Sequence, residues 1–166
     1  MEVSESGAFR RASTPVSARD EHLMRHALEL AEEAARNDDV PIGAVVIDAQ
    51  GEIIGRGFNR READKDPTAH AEVLAIRQAA ARRGSWRLED CTLIVTLEPC
   101  LMCAGSILLA RLPRIVFGAW EEKMGASGSQ YDVLRDRRYS HGVEVVSGVL
   151  ESDCASILKK FFQAQR

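Results

Sequence analysis

The chain has 166 residues, 28% of them charged, and a formal net charge of −3, which are ordinary values for a soluble globular domain. No run approaches the ~18 apolar residues of a membrane span, and the N-terminus lacks the apolar core of a secretion signal. The four cysteines do not suggest a disulfide scaffold and suit a reduced, cytoplasmic setting. The net charge does not indicate nucleic-acid binding, although a local basic patch would be enough for it.

The N-terminal part of the chain predicts a tail followed by a helix. Residues 1–19 are rich in serine and show no hydrophobic periodicity, which predicts a flexible tail. Residues 20–166 are expected to form a single domain. Apolar residues recur on one face over residues 21–36, directly after Asp20, a residue type that caps helices. We therefore expect a helix over 21–36 with Asp20 as its N-cap.

The rest of the chain alternates β-branched runs with amphipathic segments. The predicted strands cover residues 43–48, 53–58, 92–96, 114–118 and 143–146, and Gly51 lies in the turn of a hairpin formed by the first two. The predicted helices cover residues 70–83, 99–111 and 151–162, with one helical turn at 131–135 inside the polar connection 119–142. This order predicts an α/β fold with a central mixed sheet of five strands and helices on both faces.

Two short motifs carry the chemistry. His70 and Glu72 lie in a His-Ala-Glu segment, and Cys100 and Cys103 lie in a Pro-Cys-Leu-Met-Cys segment. Together they offer one imidazole, two thiolates and a spare carboxylate. A structural zinc site is closed by four protein ligands, whereas a catalytic site uses three and leaves the fourth position open. The pattern therefore predicts one catalytic zinc ion per chain. No organic cofactor is expected.

The two remaining cysteines have no partner at metal-ligand spacing. Cys91 lies at the start of a predicted strand, and Cys154 lies near the start of the last predicted helix. Free cysteine is among the most buried residue types and packs as a small hydrophobic side chain. We therefore predict that both are buried and take no part in the metal site.

The expected geometry differs between the two motifs. Pro99 favours the first turn of a helix, and Cys100 and Cys103 at i and i+3 then share one face of that turn. His70 and Glu72, at i and i+2, would point about 200° apart on a regular helix. They can converge only if the helix start is irregular or if the site lies beside it.

The residue types suit hydrolytic deamination. Zinc held by three protein ligands lowers the pKa of bound water to about 7, and Glu72 could carry that water's proton to a ring nitrogen and then to a leaving amine. The alternative for Glu72 is an exposed glutamate that merely suits the first turn of a helix. A zinc-stabilised binding protein without catalysis is the alternative for the whole motif.

The motifs resemble those of the zinc-dependent cytidine and nucleotide deaminase superfamily, and more closely those of bacterial tRNA-specific adenosine deaminases. The resemblance runs from about Asp20 to the C-terminus. The matching stretches are residues 39–45, 57–60, 66–72, 96–105, 116–119 and 125–129. It implies a three-layer α/β/α fold of the cytidine-deaminase type around a five-stranded mixed sheet.

The resemblance also implies roles for individual residues. By it, His70, Cys100 and Cys103 are expected to bind zinc and Glu72 to act as the proton shuttle. Asn59 corresponds to the asparagine that recognises the base. The pocket for the flipped base is expected to be lined by Val40, Ile42 and the backbone at Ala71.

Members of this family convert the wobble adenosine of a tRNA anticodon to inosine and act as homodimers, so a tRNA anticodon stem-loop and a second copy of the chain are the expected partners. The chain departs from many relatives at Trp120-Glu121 and at Ser140-His141, both near the expected anticodon loop. A deaminase of a free base such as guanine or cytosine is the rival interpretation. Five basic residues could meet phosphates: Arg135, Arg137, Arg138, Lys159 and Lys160.

Overall fold

The computed structural model describes residues 15–166, so the tail predicted for residues 1–19 lies mostly outside the described part of the chain. The helices are α1 (Ala18–Arg36), α2 (Arg61–Asp64), α3 (Ala71–Arg83), α4 (Leu101–Leu109) and α5 (Glu151–Ala164). The strands are β1 (Gly43–Ile47), β2 (Ile53–Phe58), β3 (Thr92–Leu97), β4 (Arg114–Ala119) and β5 (Glu144–Val146).

The five strands form one mixed sheet in the order β2-β1-β3-β4-β5. Strand β1 is antiparallel to both β2 and β3, whereas β3, β4 and β5 run parallel. The β1–β2 hairpin turns through Gly51, whose φ of 87° is favourable for glycine. The predicted fold class is therefore confirmed.

Side chains of β1 alternate between the two faces of the sheet, as expected for a strand covered on both sides. Ala44 and Val46 pack into a core with α3 and α4, while Val45 and Ile47 pack into a second core with α1 and α5. The result is three layers, α/β/α. Among residues 15–166, no helix is long and apolar enough to cross a lipid bilayer.

The start of α3 lies directly on β2 because Gly57 has no side chain. A Cβ at Gly57 would collide with the carbonyl oxygen of Ala71, the first residue of α3. Any larger residue would push the helix start away from the sheet. Gly57 therefore fixes the height at which His70 and Glu72 stand above the strand.

The first helix begins earlier than expected. Ser17, not Asp20, is its N-cap, and Asp20 is the third helical residue. The two form a capping box, in which the Ser17 hydroxyl accepts from Asp20 N at 3.1 Å and Asp20 Oδ2 accepts from Ser17 N at 3.2 Å. The N-cap prediction for Asp20 was wrong: the helix begins three residues earlier, with Ser17 as its N-cap and Asp20 as the second member of the capping box.

Two further local predictions were wrong. Residues 131–135 form no helical turn, because Tyr131 N and Val133 N donate to the carbonyls of Gly125 and Ala126 instead. The helix predicted over 99–111 is present but shorter, Leu101–Leu109, so Pro99 and the extended Cys100 lie before its first turn and not in it as expected. The short helix α2 was not predicted.

Candidate active site

His70 and Cys100 occupy equivalent positions, each as the N-cap of a helix. His70 has φ −80° and ψ 150° before α3, and Cys100 has φ −75° and ψ 178° before α4. Both residues are extended, so neither follows the helical repeat of the residues after it. The irregular helix start is therefore the arrangement that lets His70 and Glu72 converge. Neither side chain caps its own helix, which leaves imidazole and thiol free to bind a metal.

Three donor atoms lie within 4.8 Å of one another: a ring nitrogen of His70 and the sulfurs of Cys100 and Cys103. His70 Nδ1 lies 3.8 Å from Cys100 Sγ and 3.5 Å from Cys103 Sγ. Tetrahedral zinc with ordinary bond lengths would separate nitrogen and sulfur by about 3.6 Å. The donor set therefore fits zinc, and no other such group of three side chains forms within residues 15–166.

Glu72 stands beside this donor set without belonging to it. Its side chain is buried, and Oε2 has no hydrogen-bond partner. Burial raises the pKa of the Glu72 carboxyl to about 7, because a desolvated carboxylate is disfavoured relative to the neutral acid. The interpretation of Glu72 as an exposed first-turn glutamate is wrong. The carboxyl can instead exchange a proton near neutral pH.

The two cysteines of the donor set differ in acidity. A hydrogen bond from Cys103, aided by His70, lowers the pKa of Cys100 to about 4 against the effect of burial. The pKa of Cys103 is raised by its partner Cys100 and by burial. A lowered thiol pKa favours the thiolate form, which is the form that binds zinc.

Hydrogen bonds link the residues that are expected to line the base pocket. Asn59 N donates to Ile42 O at 3.1 Å, and Asn59 Oδ1 accepts from Ala71 N at 2.9 Å. Ile42 N donates to Val40 O at 2.8 Å. The hydrogen bond from Ala71 N holds the orientation of the Asn59 side chain.

Two buried carboxylates near the site were missed from sequence. Asp39 accepts from Val40 N at 2.8 Å and from Glu62 N at 3.0 Å, and lies 3.5 Å from Arg61 Nε. Glu98 lies next to Pro99 and accepts hydrogen bonds from the segment 121–129. Their partners are mostly backbone groups, which leave no side-chain pattern. The sequence offered one signal for Glu98: it is a charged residue directly after the apolar strand β3.

The basic residues proposed as phosphate contacts fall into two groups. Arg135 Nε lies 3.1 Å from Asp132, and Arg138 Nη2 lies 2.6 Å from Asp136. Both are therefore partly neutralised within the chain. The others are exposed at the surface: Arg137, Lys159 and Lys160.

The two cysteines outside the motifs, Cys91 and Cys154, are fully buried, as predicted.

Comparison with known proteins agrees with this geometry. Residues 17–119 match the model of the cytidine and deoxycytidylate deaminase zinc-binding region. A tRNA-specific adenosine deaminase from Bacillus subtilis is 48% identical over 147 residues, which cover 89% of this chain and 91% of the relative.

Two solved structures share the fold. One comes from a study of A-to-I editing by tRNA:A34 deaminases at the wobble position of transfer RNA. It has a TM-score of 0.79 and 43% identity, over 82% of this chain and 99% of the other. The other is a guanine deaminase from Nitrosomonas europaea, with a TM-score of 0.75 over 92% and 86% of the two chains, and at 24% identity it supports the fold alone. The chain therefore belongs to the zinc-dependent cytidine and deoxycytidylate deaminase family and, within it, to the tRNA-specific adenosine deaminases.

Proposed function

We propose that this chain hydrolyses the wobble adenosine of a tRNA anticodon to inosine and ammonia. The observation that carries the proposal is the open donor set of one histidine and two cysteines, with the buried carboxyl of Glu72 beside it, whose Oε2 has no hydrogen-bond partner. A structural zinc site has no need of such a carboxylate. The identity of 48% with a tRNA-specific adenosine deaminase supports the substrate class.

His70, Cys100 and Cys103 are the proposed zinc ligands. When bound, zinc lowers the pKa of a coordinated water to about 7. Glu72 takes a proton from the attacking water as the water oxygen bonds to C6, and gives that proton to the adjacent ring nitrogen of adenine. Glu72 then takes the second proton from the hydroxyl now on C6 and gives it to the amine as the C6–N bond breaks, so that ammonia leaves and C6 keeps the oxygen. A carboxyl with a pKa of about 7 is suited to both directions of transfer.

Asn59 is proposed to orient the base through its amide nitrogen. Its oxygen is held by Ala71 N, so the side chain cannot rotate freely, and a fixed donor can discriminate between acceptors on a base edge. Val40, Ile42 and the backbone at Ala71 are proposed to line the pocket around the flipped base. Val40 and Ile42 are partly exposed beside Asn59, which supports that role.

The chain is proposed to act as a homodimer in the cytoplasm, where tRNA is its substrate. An apolar groove lies between α3 and α4, the helices for which His70 and Cys100 are the N-caps. Two of its side chains are unusually exposed for their type: Leu109 at 78% and Trp86 at 54%. A contiguous exposed apolar surface marks an interaction site. A second copy packed here would lie beside the site and could contribute to the RNA surface.

The test compares substrates of different size. An anticodon stem-loop containing the wobble adenosine should be deaminated far faster than adenosine, guanine or cytosine, because remote phosphate contacts help to position the reacting base. Its deamination should weaken as salt rises, since phosphate contacts by lysine and arginine release counterions. Equal turnover of a free base would favour the rival free-base deaminase. A zinc-loaded protein that deaminates none of these would be a binding protein.

A further inference from the structure

We infer that Glu98 is a positioning residue, whose buried carboxylate holds the segment 121–129 against the cysteine segment and so fixes the geometry of the metal site. This inference rests on the proposed function only in taking Cys100 and Cys103 as zinc ligands. It assigns a task to a carboxylate that takes no part in the proton transfers.

Glu98 is enclosed by a single loop. The side chain is only 2% exposed. Oε1 accepts hydrogen bonds from Ser127 N and Ser129 N, both at 3.0 Å, and from Ser129 Oγ at 2.9 Å, while Oε2 accepts from Glu121 N at 3.0 Å. These four donors belong to residues 121–129. A buried carboxylate needs such compensation, and the loop's N–H groups need an acceptor.

The loop returns to the metal site immediately beside Glu98. Ala126 N donates to Pro99 O at 2.8 Å, and Gly125 forms an isolated β-bridge with Cys100. A Cβ at Gly125 would collide with the Glu98 carboxylate and the Ser129 hydroxyl. The same short loop therefore bonds to Glu98 and pairs with Cys100, so its position at Cys100 depends on its hydrogen bonds to Glu98.

This arrangement places the carboxylate two residues before a metal ligand and on the far side of Pro99. Cys100 is the N-cap of α4. Its backbone is extended, and its side chain makes no capping hydrogen bond to the helix. The pairing of Pro99 and Cys100 with the loop supports that backbone instead. Groups that orient metal ligands typically change metal affinity or activity by 10–100-fold when they are removed. Glu98 acts on the ligand through the loop and the backbone.

Two substitutions of Glu98 remove different numbers of its hydrogen bonds to the loop. Glu98→Ala removes every acceptor. Glu98→Gln keeps one oxygen, which can retain the three bonds at Oε1, but places an amide NH₂ opposite the N–H of Glu121. Glu98→Gln should therefore speed hydrogen exchange at the Glu121 amide and leave the amides of Ser127 and Ser129 protected. Glu98→Ala should speed exchange at all three.

The decisive measurement is the rate at which zinc passes from the loaded full-length protein to a chromogenic chelator. We expect Glu98→Ala to release zinc at least about tenfold faster than wild type, with an intermediate rate for Glu98→Gln. The matched control is Asp20→Asn. Asp20 is an equally buried carboxylate, bonded to Arg114 and remote from the donor set. Asp20→Asn should lower the melting temperature without changing zinc release.

Zinc release at the wild-type rate in both Glu98 variants, with melting temperatures lowered as in Asp20→Asn, would overturn the inference and leave Glu98 as a stabilising residue. If Glu98→Ala fails to fold, Glu98→Gln and Ser129→Ala decide in the same assay, because Ser129→Ala removes one of the four bonds. The readout needs no RNA. A wild-type protein that binds zinc but forms no inosine would contradict the proposed function without affecting this test.

Discussion

The amide oxygen of Asn59 accepts a hydrogen bond from the backbone N–H of Ala71 at 2.9 Å. Asn59 follows β2, and Ala71 opens α3, so the contact joins the proposed base-recognition residue to the helix start that carries His70 and Glu72. Under the proposed function, this side chain has two tasks: its oxygen supports the fold of the site, and its nitrogen contacts the substrate.

This double role predicts different results for two substitutions of Asn59. Asn59→Ala leaves a buried N–H without a partner, which should lower the free energy of unfolding by about 1–3 kcal/mol and also reduce activity. Asn59→Asp keeps an acceptor for Ala71 and replaces the amide nitrogen with an ionisable oxygen, so it exchanges the donor for an acceptor at a buried position. We expect it to keep the fold and the Ala71 hydrogen bond but to lose most stem-loop deamination. An active Asn59→Asp enzyme would contradict the role in base recognition.

The metal prediction can be tested by removing each sulfur in turn. Cys100→Ser and Cys103→Ser replace a soft ligand with a weak one, so each purified variant should hold much less than one zinc ion per chain by elemental analysis. The matched control is Cys91→Ser. Cys91 is buried like Cys103, whereas Cys100 is partly exposed, and Cys91 is not a member of the donor set. Full zinc occupancy in both Cys100→Ser and Cys103→Ser would contradict the assignment.

Glu72→Gln should retain zinc and the fold yet reduce turnover by about 10²–10⁴-fold, since a general acid–base residue is removed. The pH profile gives a second readout. The carboxyl must be ionised to accept a proton, so kcat/KM should fall as the pH drops through its pKa. That pKa is about 7 from burial, and the charge of bound zinc should move it lower.

The matched control for Glu72 is Glu89→Gln, a change at an exposed glutamate. It should leave both the turnover and the acid limb of the profile at wild-type values. Turnover of Glu72→Gln within a few-fold of wild type would rule out the proton shuttle.

Sequence alone predicted the donor set but not how its members converge. The residue types at 70, 72, 100 and 103 identify the chemistry because few sites need that combination. Whether His70 and Glu72 could meet remained open, because it depends on φ and ψ at one residue, the N-cap of α3. Backbone angles at a single helix boundary depend on tertiary contacts, here Asn59 bonded to Ala71 and Gly57 beneath it.

The strands and long helices were predictable because their apolar periodicity extends over many residues. The segment 121–135 was not. Its conformation follows from hydrogen bonds to Glu98 and to the carbonyl of Pro99, and from hydrogen bonds of residues 131 and 133 back to residues 125–126. These partners are backbone groups, so residue types alone indicated only a polar connection. The N-cap of α1 was missed for a different reason, since both Ser17 and Asp20 are good capping residues.

The ion pair between Asp20 and Arg114 gives a stability prediction. Burial acts to raise the pKa of Asp20, but hydrogen bonds from Arg114 and from Ser17 outweigh it, and the pKa lies below its usual value. A carboxylate with a lowered pKa stabilises the folded state above the unfolded pKa of about 3.9. That contribution is lost as the pH falls through the folded pKa.

Urea unfolding of wild type and Asp20→Asn at several pH values measures this contribution. The difference in unfolding free energy should be constant near neutral pH and shrink once the pH falls below about 4. A difference that grows on acidification would contradict the assignment. Both proteins should be compared at the same zinc concentration and pH, so that metal loss through protonation of the donors at low pH is common to both and cancels in the difference.

The groove between α3 and α4 predicts the assembly. Leu109 is 78% exposed at the end of α4, and a charge placed there would be buried without a partner if a second chain covers the groove. Leu109→Glu should therefore shift sedimentation from dimer to monomer while zinc content stays unchanged. If the second copy completes the RNA surface, the variant should also lose stem-loop deamination, mainly through a higher KM.

The matched control for Leu109→Glu is Phe162→Glu, which changes an apolar side chain on α5 that is 50% exposed and outside the groove. If Leu109→Glu remains dimeric, the dimer interface does not include this groove. If the wild-type protein is a monomer with full activity on the stem-loop, a single chain supplies the whole RNA site.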